Sequence, residues 1–143
     1  MTSAKKTFQP VTLSGVCLIY ELLHKNGFVS FPLTGGGKQK VDALVANING
    51  SYFGVTPYET AELRAVAYLY FLIKDHPFTD GNKRTASLVF EVVCEMNSLK
   101  PNYQDFTLDA LAVFIEKTRE PDHQDVIRKL AKELFLKHEP ERF

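Results

Sequence analysis

The chain has 143 residues, 45% of them hydrophobic, with 17 basic side chains balanced by 17 acidic ones. That length suits a single folded domain, 1–143, able to bury about two-thirds of its unfolded surface without staples, and leaves little room for a second. Balanced charge gives no overall field toward a polyanion, so nucleic acid is not an expected partner, and neither is an acidic membrane surface.

Met1 to Thr7 leads into Phe8-Gln9-Pro10 rather than into an apolar run with a small-residue cleavage site. The longest apolar run, around Ala65 to Ile73, falls short of the roughly 20 residues that span a bilayer. Cys17 and Cys94 each fall in an apolar helical pattern and are read as reduced core thiols. A cytoplasmic protein is expected.

Apolar positions recur at spacings of three and four through most of the chain, which predicts an all-α domain of about six helices. The first runs from about Thr12 to Lys25, with Val16, Ile19, Leu22 and Leu23 on its inner face, and stops at Asn26-Gly27. Residues 28–37 break the period with Pro32 and Gly35-Gly36-Gly37, and their extended apolar start predicts a short flap or β-hairpin. Gly35-Gly36-Gly37-Lys38 lacks the first Gly of a phosphate loop, carries Gln39 after the Lys, and is read as flexible. The helical period resumes from Lys38 to Asn49 through Val41, Leu44, Val45 and Ile48. Thr56-Pro57-Tyr58-Glu59 combines a capping Thr, Pro at the first helical position and Glu at the third, and predicts the start of a long helix. That helix is apolar on several sides, as a central buried helix should be, and Pro77 ends it near His76. A second core helix is expected over Lys83 to Asn97, a shorter one from the Thr107 cap to about Arg119, and a last one from the Asp122 cap over His123 to His138.

The segment joining the two core helices, His76-Pro77-Phe78-Thr79-Asp80-Gly81-Asn82-Lys83-Arg84, carries the chemistry. A helix start offers unpaired N–H groups and the positive end of the dipole, and Gly81 lets an anion come close to the backbone. Lys83 and Arg84 add cationic side chains for the same anion, and Asp80 is a hard carboxylate of the kind that holds Mg²⁺ beside nucleotide phosphates. The imidazole of His76 suits a general base that takes a proton from an attacking hydroxyl. Phe78 is expected to point inward and Thr79 outward. A zinc site through His76 and Asp80 lacks further ligands at suitable spacing.

This string resembles the signature of the Fic/Doc family, H-x-F-x-D/E-G-N-G/K-R, at His76, Phe78, Asp80, Gly81, Asn82 and Arg84, and the wider layout extends the resemblance over residues 12–135. It implies the Fic fold, a central helix-loop-helix with a flap before the motif, and an enzyme that uses Mg–ATP to modify a hydroxyl of a protein. It assigns His76 as base, Asp80 to the metal, and the backbone of Gly81 and Asn82, with Lys83 and Arg84, to phosphate. Lys83 where nucleotidyl-transferring members carry Gly, and Ser87 where they carry a final Arg, resemble the Doc branch, as does Asn82-Lys83-Arg84-Thr85-Ala86. That branch moves the terminal phosphate of ATP to elongation factor Tu, as a toxin paired with an antitoxin. Gly81, where Doc has Ala, resembles Fic proper instead.

AMP transfer is the alternative reaction, and a non-catalytic Fic scaffold that only binds is the alternative from another class. No segment fits the inhibitory helix of self-restrained Fic proteins, so restraint is expected from a separate antitoxin. Residues 28–33, through Val29, Ser30 and Phe31, are expected to pair with a target segment by strand addition.

Overall fold

The computed structural model describes residues 7–50, 57–103 and 106–135, and these form six helices and no strand. They are α1 (Leu13–Lys25), α2 (Gly35–Asn49), α3 (Ala61–Lys74), α4 (Asn82–Met96), α5 (Leu108–Lys117) and α6 (His123–Phe135). The all-α expectation therefore holds.

Threonines set most of the starting points. Thr12, Thr34, Thr60 and Thr107 are extended, and each hydroxyl accepts the backbone N–H three residues on, from Gly15, Gly37, Leu63 and Ala110, at 2.9 to 3.1 Å. Each such cap contributes about 1 kcal/mol by satisfying one orphan donor. Asp122 does the same for α6 by accepting from the Asp125 N–H at 3.1 Å.

The core is built around α3, in which Ala65 to Tyr70, Leu72 and Ile73 are all buried. Helices α2, α4, α5 and α6 pack on it, while α1 closes the assembly against α2 and α4. A helix covered on so many sides must satisfy its polar tips: the Tyr68 hydroxyl meets Asn49 Oδ1, and that of Tyr70 meets His123 Nδ1. His123 is exposed but engaged in this way.

The tertiary structure decides four local expectations. Of the flap or hairpin expected, the chain forms a flap: residues 28–31 are bends, with Phe28 O accepting from Arg84 and Phe31 O accepting from the Tyr20 hydroxyl at 2.6 Å. The glycines read as flexible instead form the first turn of α2. The Thr34 cap holds them there, and Gly37 is buried where a Cβ would stand 3.0 Å from the Pro77 carbonyl oxygen. The helix predicted from Thr56 begins at Ala61; Thr56 lies outside the described residues, while Pro57 is in a bend and the Tyr58 carbonyl accepts from Arg64 Nε at 2.9 Å. Burial of the Tyr58 ring and the competing Thr60 cap prevail over the Pro signal. In α1 the buried stripe is Val16, Cys17 and Tyr20, while Leu22 is 49% exposed.

Both cysteines are buried and unpaired. Burial pushes the Cys94 thiol up to about 12 and raises that of Cys17, so neither supplies thiolate at neutral pH. Alkylation of native protein at pH 8 should leave both unmodified, with two adducts by mass spectrometry only after unfolding. No helix among the described residues is long and apolar enough to cross a membrane.

Candidate active site

Helices α3 and α4 pack along each other, and the loop between them, residues 75–81, is fixed from both sides. Asp75 caps α3, Pro77 denies His76 the right-handed helical conformation, and His76 stands at φ +52°. A left-handed backbone at a non-glycine residue costs on the order of 1 kcal/mol or more and is tolerated where the surroundings impose it. Here they do, because Pro77 and Phe78 are buried directly after it. Phe78 stacks on Tyr20 with ring centroids 4.2 Å apart, while Thr79 is exposed.

The second restraint is Asn82. Its side chain is buried and grips the Phe78 peptide from both ends, Oδ1 accepting from Phe78 N at 2.9 Å and Nδ2 donating to Phe78 O at 2.8 Å. The Asn82 side chain is therefore structural, and only its backbone is offered to a ligand. Gly81 stands between these anchors at φ +78°, and a Cβ there would lie 2.6 Å from Val29 Cγ2. Gly81→Ala should thus destabilise the protein by about 1 to 3 kcal/mol through strain and overlap. Val29→Ala in the same chain should recover part of the loss in thermal melts, since it removes the overlap and leaves the strain.

These restraints present a set of functional groups to one cavity of about 520 Å³, lined by His76, Asp80, Gly81, Asn82, Lys83 and Arg84, among others. Helix α4 has Gly81 as its cap and no side-chain capping bond, unlike the other five. Its first-turn N–H groups are therefore available to an anion, with the positive end of the dipole behind them. The His76 imidazole is exposed, with Nδ1 3.3 Å from the Ile73 carbonyl. Since a carbonyl only accepts, that contact favours the proton on Nδ1, which leaves Nε2 as the free acceptor.

The two cations are tethered to different walls. Arg84 donates through Nη1 to the Phe28 carbonyl at 3.0 Å and lies over the Phe28 ring, and Lys83 donates to Glu116 Oε2 at 2.8 Å. The Glu116 carboxyl is held below the usual range, first by that hydrogen bond, with His76 and Lys117 adding to it. Sequence reasoning did not find Glu116, nor Asp109, which lines the same cavity. The available signal was their spacing: seven residues apart on one helix, they share a face.

The flap contributes differently from residue to residue. Val29 is buried against Gly81, whereas Ser30 and Phe31 are exposed, as is Phe28, which lines the cavity. A second cavity of about 490 Å³ shares Phe28, Arg84, Ser87 and Asp109 with the first and continues to Leu23, Leu88 and Leu108.

Among known families, the model of the Fic/DOC family matches residues 10–94, more than half of the chain. No curated protein and no solved structure matches. The matched stretch includes the flap, α3, the loop and most of α4, and it stops short of α5 with Asp109 and Glu116.

Proposed function

The chain belongs to the Fic/DOC family, and from that premise we propose that it is a transferase moving the terminal phosphoryl group of Mg–ATP to a Ser or Thr hydroxyl of another protein. The observation that carries this reading is the uncapped start of α4, whose open N–H groups share one cavity with an imidazole acceptor and the side chains of Lys83 and Arg84. Phosphate at the α4 terminus meets backbone donors without a Cβ in the way at Gly81, and the two cations balance its charge.

In the reaction the hydroxyl oxygen of the target attacks the terminal phosphorus. His76 Nε2 takes the hydroxyl proton as the new P–O bond forms, and the bond to the bridging oxygen of ADP breaks, so ADP leaves with that electron pair. The first-turn N–H groups, Lys83 and Arg84 stabilise the charge on the transferring group. Asp80 is the residue that would hold Mg²⁺. A single carboxylate such as that of Asp80 fits Mg²⁺, which uses one or two carboxylates together with substrate phosphates and water. The ion would neutralise phosphate charge and orient the phosphates.

Transfer of the terminal phosphate is favoured over AMP transfer by two features. Lys83 fills space where a smaller residue would admit an inner phosphate, and the cavity beyond Ser87, with Leu23, Leu88 and Leu108, suits a nucleoside whose phosphate chain runs back to the α4 terminus. Transfer from α- versus γ-labelled ATP separates the reactions. Label from the γ position alone supports phosphorylation, label from the α position establishes AMP transfer, and no label with tight ATP binding leaves a scaffold that only binds. By resemblance to Doc, elongation factor Tu is the proposed target and a separate antitoxin the proposed restraint, in a toxin setting.

A further inference from the structure

The cavity at the start of α4 and the neighbouring one toward Leu23, Leu88 and Leu108 meet at Phe28, Arg84, Ser87 and Asp109. The acidic side chains along this path differ in what they are free to do. Glu116 is paired with Lys83 at 2.8 Å, and Asp80 is the residue assigned above to Mg²⁺. Asp109 is left over: its side chain is exposed, and its carboxylate has no hydrogen-bond or ion-pair partner among the described residues. Arg84, at the same junction, is held instead by the Phe28 carbonyl at 3.0 Å and lies over the Phe28 ring.

A carboxylate repels phosphate and accepts hydrogen bonds, so the part of a ligand that settles beside Asp109 is uncharged and carries donors. Glu91, which lines the outer cavity, extends the same condition to that end. With phosphates at the α4 terminus, the covalent order of a nucleotide places ribose at the junction and the base against Leu23, Leu88 and Leu108. We propose that Asp109 reads the sugar, accepting hydrogen bonds from the ribose 2′ and 3′ hydroxyls. The proposal rests on the nucleotide-binding reading above and narrows it to ribonucleotides. A carboxylate serves this purpose in dinucleotide-binding folds, where it accepts from the ribose 2′ hydroxyl. Asp109 also stands in the first turn of α5, where the helix dipole favours negative charge. That second role concerns stability alone and is blind to the sugar.

The test is calorimetric titration at fixed pH and Mg²⁺ with ATP, 2′,3′-dideoxy-ATP and inorganic tripolyphosphate. Wild type should bind ATP roughly three- to ten-fold tighter than the dideoxy nucleotide, the range of a net hydrogen bond. In Asp109→Ala the two nucleotides should bind nearly alike, because phosphates, metal and base are common to both and only the hydroxyls differ. Asp109→Asn, which keeps a carbonyl acceptor, should retain part of the preference and supplies a second reading where the alanine variant folds poorly.

A wild-type ratio near one, or a preference for ATP that survives Asp109→Ala unchanged, would overturn the ribose role. So would a lower melting temperature in Asp109→Ala with both nucleotides weakened equally, which is the behaviour of a purely structural residue. Tripolyphosphate binding alongside any of these results keeps the phosphate site standing. Wild type binding none of the three ligands would remove both readings.

Discussion

Replacing His76 by Asn should lower the rate of phosphoryl transfer by about 10² to 10⁴, the usual contribution of a positioned general base, while ATP binds within a few-fold of wild type. Asn is the informative substitution because it tolerates the left-handed backbone that residue 76 adopts, at φ +52°, and so removes the imidazole without forcing the loop to move. His76→Ala, which gives up the imidazole and gains no such tolerance, should show the same loss of rate with a slightly lower melting temperature. Single-turnover transfer of γ-label measures the first effect, and calorimetric titration with ATP measures the second. Full rate in both variants would remove His76 from the role of base and point to another acceptor in the cavity. Loss of ATP binding along with rate would mean that the imidazole holds the nucleotide rather than the target's proton.

Asn82→Ala should be the most damaging change to stability within the motif. The side chain satisfies both polar groups of the Phe78 residue in a buried setting, and alanine leaves the Phe78 N–H and carbonyl without those partners. Each buried group left unpaired costs on the order of 1 to 3 kcal/mol, so a loss of roughly 2 to 4 kcal/mol is expected, visible as a clear drop in the denaturant midpoint. Asn82→Asp should fall between alanine and wild type. It keeps an acceptor for the Phe78 N–H and adds negative charge at the start of α4, which the helix dipole favours, but it sets a carboxylate oxygen against the Phe78 carbonyl. An alanine variant as stable as wild type would show that solvent or a shifted loop can satisfy these groups. The cradle would then be far less rigid than two hydrogen bonds within 3 Å suggest.

The contrast between these residues explains what could be read in advance. His76 and Asn82 are both in the motif, and sequence reasoning placed the imidazole of one and the backbone of the other at the ligand, whereas the inward turn of the Asn82 side chain, which holds the loop, has no sign in the sequence. A polar residue at the first position of a helix is equally suited to contacting an anion or to bracing the preceding turn. Which it does depends on the local path of the backbone. Similarly, α1 offers two overlapping apolar stripes, and nothing within the helix says that Val16, Cys17 and Tyr20 rather than Leu22 face α2 and α4. Gly35 to Gly37 read as a break because glycine is a poor helix former, but the Thr34 cap and the close approach of Pro77 to Gly37 outweigh that preference.

By itself, the sequence determined that the protein is helical, where most of its helices stop and start, and that the family motif lies between residues 76 and 84. Those properties depend on local rules, the apolar period, caps, proline and glycine, and on a motif whose members are adjacent along the chain. Only the tertiary structure decided that Val29 excludes a Cβ at Gly81, that the flap's carbonyls are committed to Arg84 and Tyr20, and that Glu116 holds Lys83. These are contacts between residues 11 to 56 positions apart, and no local periodicity encodes which distant side chain meets a given one. They arise because α4 and α5 pack on the buried α3 and α1 packs on α4.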